Sequence, residues 1–253
     1  LYRLSRSPHA EQFILKGALL MLAWLGEGLR PTSDADLLGF GELSDDALAS
    51  IVKTVCAVSV EPDAVEFDRK SVRVEAIREE AAYGGRRVKL NARVGEARLT
   101  VQLDIGFGDV VTPAAEWLDY PALLDLPAPR LRAYPRESVI AEKLHAMVLL
   151  GTRNSRMKDY FDLDALAREG AVEAARLADA IAATFARRGT VIPEGVLPGL
   201  AGEFAEDDSK QAQWKAFLTR NRLEGGSLPE TIAEVRGFLK EPMKLARELM
   251  KDR

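Results

Sequence analysis

The chain has 253 residues, of which 47% are hydrophobic and 29% charged, and its formal net charge is -4. This composition is typical of a globular protein with one large or two modest cores, and it argues against a protein that coats nucleic acid nonspecifically. A single cysteine excludes an internal disulfide framework and a zinc site built from several cysteines, and it fits a reducing, cytoplasmic setting.

The first predicted elements are a strand and a helix. Residues 12–17 (QFILKG) are typical of a short strand that ends at a glycine, and residues 18–28 are typical of an apolar helix that Gly26 and Gly28 terminate. The apolar run in this helix is too short to span a membrane and is flanked by charged residues, so no membrane association is expected.

The next strand carries a pair of acids. Asp34 and Asp36 lie one residue apart and lead into an apolar segment (DADLLGF). Because residues i and i+2 of a strand point to one face, the two carboxylates should lie side by side, which is costly unless a cation binds between them. Paired carboxylates are natural ligands for Mg²⁺. The alternative is a capped turn, for which the preceding PTS sequence is suited.

A helix over residues 44–58 with an acidic first turn is followed by a sheet. Residues 63–106 alternate between polar and apolar and are interrupted by Gly84, Gly85 and Gly95, which predicts several strands. Residues 112–135 contain five prolines and are predicted to be a connector without regular structure.

The remainder of the chain has helical periodicity. Helices are predicted over residues 136–150, 156–168, 172–187, 210–220 and 229–251. The expected fold class is therefore α+β, with a mixed α+β domain over residues 1–130 and a helical domain over residues 131–253.

A third acid and a glycine complete a candidate site in the first domain. Asp104 lies on the polar face of its strand, and two carboxylates from one strand with one from a second are what a two-metal phosphoryl-transfer site requires. Lys16 and Gly17 directly precede a helix, whose free N–H groups and positive dipole end can receive phosphates. A solvated strand face is the alternative for Asp104.

Two charged residues fall on apolar helix faces in the second domain. Lys143 lies on such a face and therefore needs an anionic partner, for which a triphosphate is one candidate. Asp159 is placed similarly and can hold Lys143, the nucleotide or an incoming substrate. Snorkelling of the lysine and a helix-dipole role for the aspartate are the alternatives. His145 points about 200° away from Lys143 and is placed outside the site.

Two basic clusters can line an RNA groove or simply be solvated. They comprise Arg86, Arg87, Lys89, Arg93 and Arg98 in the strands, and Arg153, Arg156 and Lys158 before a helix. Trp117, Trp214 and the remaining aromatic residues show no stacking-platform spacing and are predicted to be core residues.

The motifs together resemble a known family. The chain resembles the AbiEii/AbiGii toxin family of DNA polymerase β-like nucleotidyltransferases in the order of its motifs. That order is a strand, KG, a helix, TSDADL, a distal aspartate in a strand, YPRESVIAEKLHAMV and SRMKDYFDLDAL. The most specific parts of the resemblance are AEKLHA and RMKDYFDL. The resemblance covers nearly the whole chain. It implies a polymerase β-like domain with a mixed sheet, a helical domain that completes the nucleotide cleft, and a toxin with a cognate antitoxin that transfers a nucleotide from an NTP, in some members to the acceptor end of tRNA.

The resemblance also implies roles for individual residues. It matches Asp34 and Asp36 to a metal-binding pair, Thr32 to a preceding hydroxyl residue, Lys143 to an essential lysine, Asp159 to an essential acid and Asp104 to the third carboxylate of the wider superfamily. Two departures are Ala18, where the family commonly has a second glycine, and Ala35, where it commonly has a larger apolar residue. The alanine at position 18 narrows the backbone freedom at the expected phosphate site.

The sequence therefore predicts a Mg²⁺-dependent nucleotidyltransferase. The predicted metal ligands are Asp34, Asp36 and Asp104, and Asp104 could alternatively act as the base toward the acceptor hydroxyl. The predicted NTP contacts are Lys16, Gly17, Thr32 and Lys143. Asp159 is predicted to be a further catalytic residue. One alternative is a catalytically degenerate module that binds nucleotide or antitoxin. The other is a metal-dependent phosphodiesterase that uses the same acids with water as the nucleophile.

Overall fold

The computed structural model describes residues 1–26, 30–41, 43–77, 84–122 and 124–251. Internal contacts divide the chain into two units that are interleaved in sequence. The first unit comprises Leu1–Ala23, Thr32–Asp109 and Ala115–Tyr134, and the second comprises Trp24–Pro31, Val110–Ala114 and Pro135–Arg253. The predicted use of the second domain to complete a nucleotide cleft stays a prediction.

The first unit is built on a mixed sheet, which confirms the α+β class. Within the described part of the chain its strands are β1 (Phe13–Lys16), β2 (Asp34–Gly39), β3 (Val65–Ile77), β4 (Gly85–Val94), β5 (Ala97–Phe107), β6 (Glu116–Asp119) and β7 (Arg130–Ala133). Their spatial order is β3-β4-β5-β2-β1-β7-β6. The pairs β1–β7 and β2–β5 are parallel and the other pairs are antiparallel.

Strand alternation makes one face of the sheet apolar, whereas the other face carries polar side chains together with buried apolar ones such as Ile14 and Leu38. Leu37 and Ile105 are directly paired on the apolar face and are almost fully buried. The helix α3 (Asp45–Cys56) begins at Ser44, whose side chain accepts a hydrogen bond from the backbone N–H of Ala47, and two acids lie in its first turn. Its buried apolar face packs on the sheet and leaves the opposite face of the central strands for polar side chains.

The prediction that residues 112–135 lack regular structure is wrong, because strands β6 and β7 lie there. The prolines flank these strands without interrupting them. Pro113 and Pro121 bracket β6, and Pro129 and Pro135 bracket β7. A proline outside the strand removes no hydrogen bond from the ladder, so proline density alone does not exclude short strands.

Six of the described helices coincide with helices that the hydrophobic periodicity predicted. They are α2 (Ala18–Leu25), α4 (Arg136–Leu150), α5 (Met157–Glu169), α6 (Ala174–Arg187), α8 (Asp208–Asn221) and α9 (Leu228–Lys251). Two short helices, α1 (Tyr2–Ser5) and α7 (Gly202–Glu206), were not predicted. The core of the second unit forms where α6 packs against α4 and α9 and where α5 packs against α9.

Two further expectations meet different outcomes. Trp214 is buried as predicted. Trp117 and Phe40 were also predicted to be core residues, but they are 51% and 44% exposed, and Trp117 points from β6 away from the apolar face. Gly28, predicted to help terminate α2, lies outside the described residues. Among the described helices, none combines the length and apolarity that a membrane crossing requires.

Candidate functional site

Four charged residues lie side by side across four neighbouring strands of the first unit. Lys16 of β1 is paired with Asp36 of β2, Asp36 with Asp104 of β5, and Asp104 with Arg87 of β4. Directly paired residues point to the same face of a sheet. The row therefore runs cation, carboxylate, carboxylate, cation, with the two carboxylates adjacent at its centre.

Asp34 adds a third carboxylate to this face. It lies two residues before Asp36 in β2 and is paired with Gln102, so Asp34, Asp36 and Asp104 are brought together as the sequence indicated. The residues before it hold it locally. The hydroxyl of Ser33 donates to Asp34 Oδ1 at 2.9 Å, and the hydroxyl of Thr32 donates to the Asp34 carbonyl at 3.2 Å. Thr32 therefore shapes the turn that presents Asp34.

Asp104 forms a bidentate ion pair that the sequence did not predict. Arg87 Nε donates to Asp104 Oδ1 at 2.8 Å and Arg87 Nη2 to Oδ2 at 2.6 Å, and Gln102 Nε2 also reaches Oδ1 at 3.3 Å. The hydrogen bonds to Asp104 raise the pKa of Arg87 above its ordinary value. Within the described residues Oδ2 has one donor and retains an acceptor position.

Gly17 leaves the space that the Asp36 carboxylate occupies. A Cβ at position 17 would lie 2.0 Å from Asp36 Oδ2, and the glycine has a φ of +75°, which side chains rarely adopt. Its position between β1 and α2 fits the predicted role at a helix start. The structure gives the glycine a second function, because it permits Asp36 to pack directly against the backbone.

Replacing Gly17 with alanine should displace Asp36 and impair the site. We expect the predicted transfer activity to fall by about 100-fold, because a displacement of about 1 Å in a reacting group has that effect. Gly95→Ala is the matched control, since Gly95 also has a positive φ but its Cβ would meet nothing within 4 Å. Equal activity losses in the two variants, measured at equal folded fraction, would contradict this role for Gly17.

Lys16 is held at the end of its strand by neighbours in the same unit. Its Nζ donates to Asp109 Oδ2 at 2.9 Å and lies 5.3 Å from the centre of the Tyr134 ring. The lysine is largely buried, as is Asp109. These contacts fix a positive charge beside Asp36, where it offsets part of the repulsion between the carboxylates.

The second unit contains a buried cluster of charges around Lys143. Lys143 Nζ donates to Asp159 Oδ1 and to Asp162 Oδ2, both at 2.7 Å, and both aspartate side chains are 0% exposed. Arg156 Nε donates to Asp159 Oδ2 at 2.6 Å. Arg30 binds Asp162 through Nε and Nη2 at 2.8 and 2.9 Å. Of the partners proposed for Asp159, the structure thus shows Lys143.

Among the described residues, Arg30, Lys143 and Arg156 are the cations that bind the two carboxylates of this cluster. Burial alone would lower the pKa of Lys143, but the two aspartates outweigh burial and raise that pKa. Burial would likewise raise the pKa of Asp159, but Lys143 and Arg156 lower it to about 2. The lysine is therefore charged and held rigidly, and one of its three N–H donors has no partner among the described residues.

The Asp159 pKa predicts a loss of stability in acid. Because its folded-state pKa is about 2 and its ordinary value is 3.8, Asp159 contributes stability that is fully present above pH 4 and is lost as the pH falls toward 2. The loss should amount to about 2 kcal/mol. Denaturant unfolding at several pH values measures it, with Asp159→Asn for comparison. The free energy of unfolding should fall more steeply below pH 4 for the wild type, and parallel curves would contradict the assignment.

Sequence reasoning missed several members of these clusters. Asp162 lies three residues after Asp159 on the same helix face, so the spacing in DYFD could have revealed it. Arg87 was placed in a basic cluster, but its pairing with Asp104 depends on the register of β4 and β5. Arg30 binds Asp162 across 132 residues of sequence, a separation for which the sequence offers no signal.

Other predicted basic residues are also paired with acids. Arg86 contacts Asp45, and Lys89 contacts Glu75. His145 lies away from Lys143, as predicted. It is buried, its Nε2 is 2.9 Å from the Thr190 hydroxyl, and its Nδ1 accepts from Arg188 at 3.1 Å.

Comparison with known proteins provides a family and a fold. The family model described as nucleotidyl transferase AbiEii toxin, type IV toxin–antitoxin system, matches residues 1–234. The structure of JHP933 from Helicobacter pylori is similar over 99% of this chain and 88% of that chain, with a TM-score of 0.54 and 17% identity. A candidate nucleotidyltransferase from H. pylori is similar over 99% and 91%, with a TM-score of 0.53 and 17% identity. No protein of curated function matches the sequence.

Proposed function

The chain belongs to the AbiEii family of nucleotidyltransferase toxins from type IV toxin–antitoxin systems, and from that premise we propose that it catalyses a Mg²⁺-dependent nucleotide transfer. The proposed reaction transfers a nucleotide from an NTP to a hydroxyl at the end of an RNA, with tRNA as the first candidate. The observation that carries this proposal is the arrangement of Asp34, Asp36 and Asp104 on one face of two paired strands. Membership of the family implies a nucleotide substrate and an antitoxin partner.

The donor set of the first unit fits a magnesium ion. Asp34 and Asp36 offer two carboxylates on one strand face, and the lack of a side chain at Gly17 is what allows the Asp36 carboxylate to take its position there. Among the residues that the structure describes, no group of three or more His, Cys, Asp or Glu side chains is arranged to hold a metal ion, and Asp104 is hydrogen-bonded to Arg87. Two carboxylates completed by water and substrate phosphates are a common set for Mg²⁺.

We therefore assign Asp34 and Asp36 as metal ligands and Asp104 as the group that orients the acceptor. A bound Mg²⁺ would neutralise charge on the triphosphate and polarise the phosphorus that is attacked. Asp104 Oδ2 has an acceptor position for the proton of the attacking hydroxyl, while the two hydrogen bonds from Arg87 hold the carboxylate in place. The acceptor oxygen forms a bond to the α-phosphorus as the bond to pyrophosphate breaks.

The Lys143 cluster suits a phosphate group. The remaining N–H donor of Lys143 can bind an anionic oxygen, and the two buried aspartates hold the lysine in one rotamer. We propose that Lys143 binds NTP phosphates and stabilises the charge on departing pyrophosphate. Asp159 acts through Lys143 as a positioning residue.

The test incubates the purified protein with total RNA, Mg²⁺ and each of the four NTPs labelled at the α-phosphate, beside an Asp34→Ala variant. Label on one size class of RNA with one NTP, absent from the variant, would support the proposal and identify both substrates. Label on the protein would point to a protein acceptor. Shortened RNA without label would overturn transfer in favour of phosphodiester cleavage, and absence of both label and NTP binding would overturn it in favour of a binding module.

A further inference from the structure

Aromatic and arginine side chains alternate along an exposed strip of the first unit. Trp117 of β6 is directly paired with Arg132 of β7. The guanidinium of Arg130 lies 5.8 Å from the centre of the Trp117 ring, and that of Arg132 lies 5.8 Å from the centre of the Phe40 ring. The order along this aromatic–arginine strip is Phe40, Arg132, Trp117, Arg130.

The strip is open to solvent. Trp117 is 51% exposed, Phe40 is 44% exposed, and the side chain of Arg130 is 68% exposed. The ion pair between Arg130 and Asp119 is long, at 3.8 Å, and both partners are mostly solvated, so it holds the arginine weakly. Two large aromatic rings therefore lie on the surface, each with a guanidinium against it.

Strand register places the strip on the carboxylate-bearing face of the sheet. Ala133 is paired with Leu15, so Arg132 shares the face of Lys16 and Asp36. Ile14 and Leu38 fill the row beside Arg132 and are buried, which makes the strip a separate patch. From Asp36 to Trp117 the strand spacings amount to roughly 15 Å.

This chemistry matches a single nucleic-acid strand. Nucleobases stack on exposed aromatic rings, and guanidinium groups bind phosphates while they contribute cation–π contacts. The alternation of ring and guanidinium corresponds to the alternation of base and phosphate. Protein interfaces are also rich in aromatic residues and arginine, so the feature that favours a nucleic-acid strand is the regular alternation of ring and guanidinium.

We propose that the aromatic–arginine strip binds a single-stranded segment of the RNA acceptor, a few nucleotides from the end that reacts. This assignment rests on the proposed function for the identity of the RNA as acceptor, but the binding itself requires neither NTP nor metal. The strip contributes affinity for RNA and takes no part in the chemical step. Its removal should therefore raise the KM for RNA and leave the KM for NTP and the kcat at saturating RNA unchanged.

The first experiment measures RNA binding without NTP or Mg²⁺. Fluorescein-labelled oligouridylate and oligoadenylate are titrated with wild-type protein, Trp117→Ala and Phe40→Ala, and binding is followed by fluorescence anisotropy. Each variant should bind roughly 5- to 100-fold more weakly than the wild type, the loss expected when one stacked base is released. Trp117→Phe keeps a ring and should retain most of the affinity.

Two matched controls test whether the effect belongs to the strip. Leu99→Ala removes an exposed apolar side chain from β5, and Arg69→Ala removes an exposed cation from β3 that belongs to neither basic cluster. Both variants should bind RNA nearly as the wild type does. Equal losses in the controls and in the strip variants would overturn the proposal, as would undetectable binding of either oligonucleotide to the wild type.

Combination with the labelling assay separates this proposal from the proposed function. If the strip variants bind RNA normally while the wild type labels RNA, the proposed RNA-binding role of the strip is overturned and the transferase assignment stands. RNA binding that depends on the strip, without transfer to any RNA, would support the strip and count against the assigned reaction. Loss of antitoxin binding in the strip variants, with RNA binding intact, would assign the surface to a protein partner and overturn the RNA proposal.

Discussion

Asp36→Asn is expected to abolish nucleotidyl transfer while the protein remains folded. Asparagine has nearly the same shape, so it can occupy the space beside Gly17, and its neutral side chain relieves the repulsion from Asp104. What is lost is an ionised oxygen ligand for the metal. Since metal stabilisation of the transition state amounts to several kcal/mol, we expect a decrease in the transfer rate of about 10³-fold or more.

The measurement is label transfer from NTP, with circular dichroism and thermal unfolding as the test of folding. Glu75→Gln is the matched control, because Glu75 lies in the same row of the sheet face, opposite Arg87, but outside the carboxylate group. This control should retain activity close to that of the wild type. If the Asp36→Asn variant is active, Asp36 is not a metal ligand. If the control is inactive as well, the loss of activity reflects the overall charge of this sheet face and not a specific role of Asp36.

Asp162→Ala is expected to cause the largest loss of stability of any single substitution considered for the second unit. The change removes one of the two carboxylates that bind Lys143. It also removes the carboxylate that accepts two hydrogen bonds from Arg30. Breaking a buried pair by removal of one partner typically costs about 3–5 kcal/mol, because the remaining charge stays desolvated. The free energy of unfolding, from urea titration, should fall by about that amount.

Asp164→Ala on the same helix provides the comparison. Asp164 pairs with Arg168, whose side chain is more than half exposed, so its removal should cost no more than about 1 kcal/mol. Asp162→Asn should be intermediate, since the amide oxygen can still accept from Arg30 or Lys143. A similar, small effect of both alanine substitutions would mean that the buried cluster contributes little to stability.

Much of the architecture follows from hydrophobic periodicity. The helix over residues 136–150 has the bounds that the pattern predicted, and Asp34 and Asp36 lie in a strand beside the strand of Asp104. Such features depend on local spacing, which a sequence displays directly.

Features that depend on pairing between distant segments were not accessible. The ion pair of Arg87 with Asp104 requires the register of two strands, and that of Arg30 with Asp162 requires the tertiary fold. The exposure of Trp117 likewise depends on which sheet face β6 presents, and an aromatic residue in a short strand does not reveal that face. The roles of the predicted site residues are chemical hypotheses that the substitutions above address.

The order of the strands has a consequence for self-association. In the described part of the chain, β3 and β6 are the two outermost strands, and an outermost strand is where a strand of another molecule could add. β6 has only four residues and ends two residues before Pro121. β3 has a register shift between Asp68 and Arg73 and carries many exposed charges. Both sheet edges are thus poor templates for strand addition, which protects the protein from edge-to-edge aggregation.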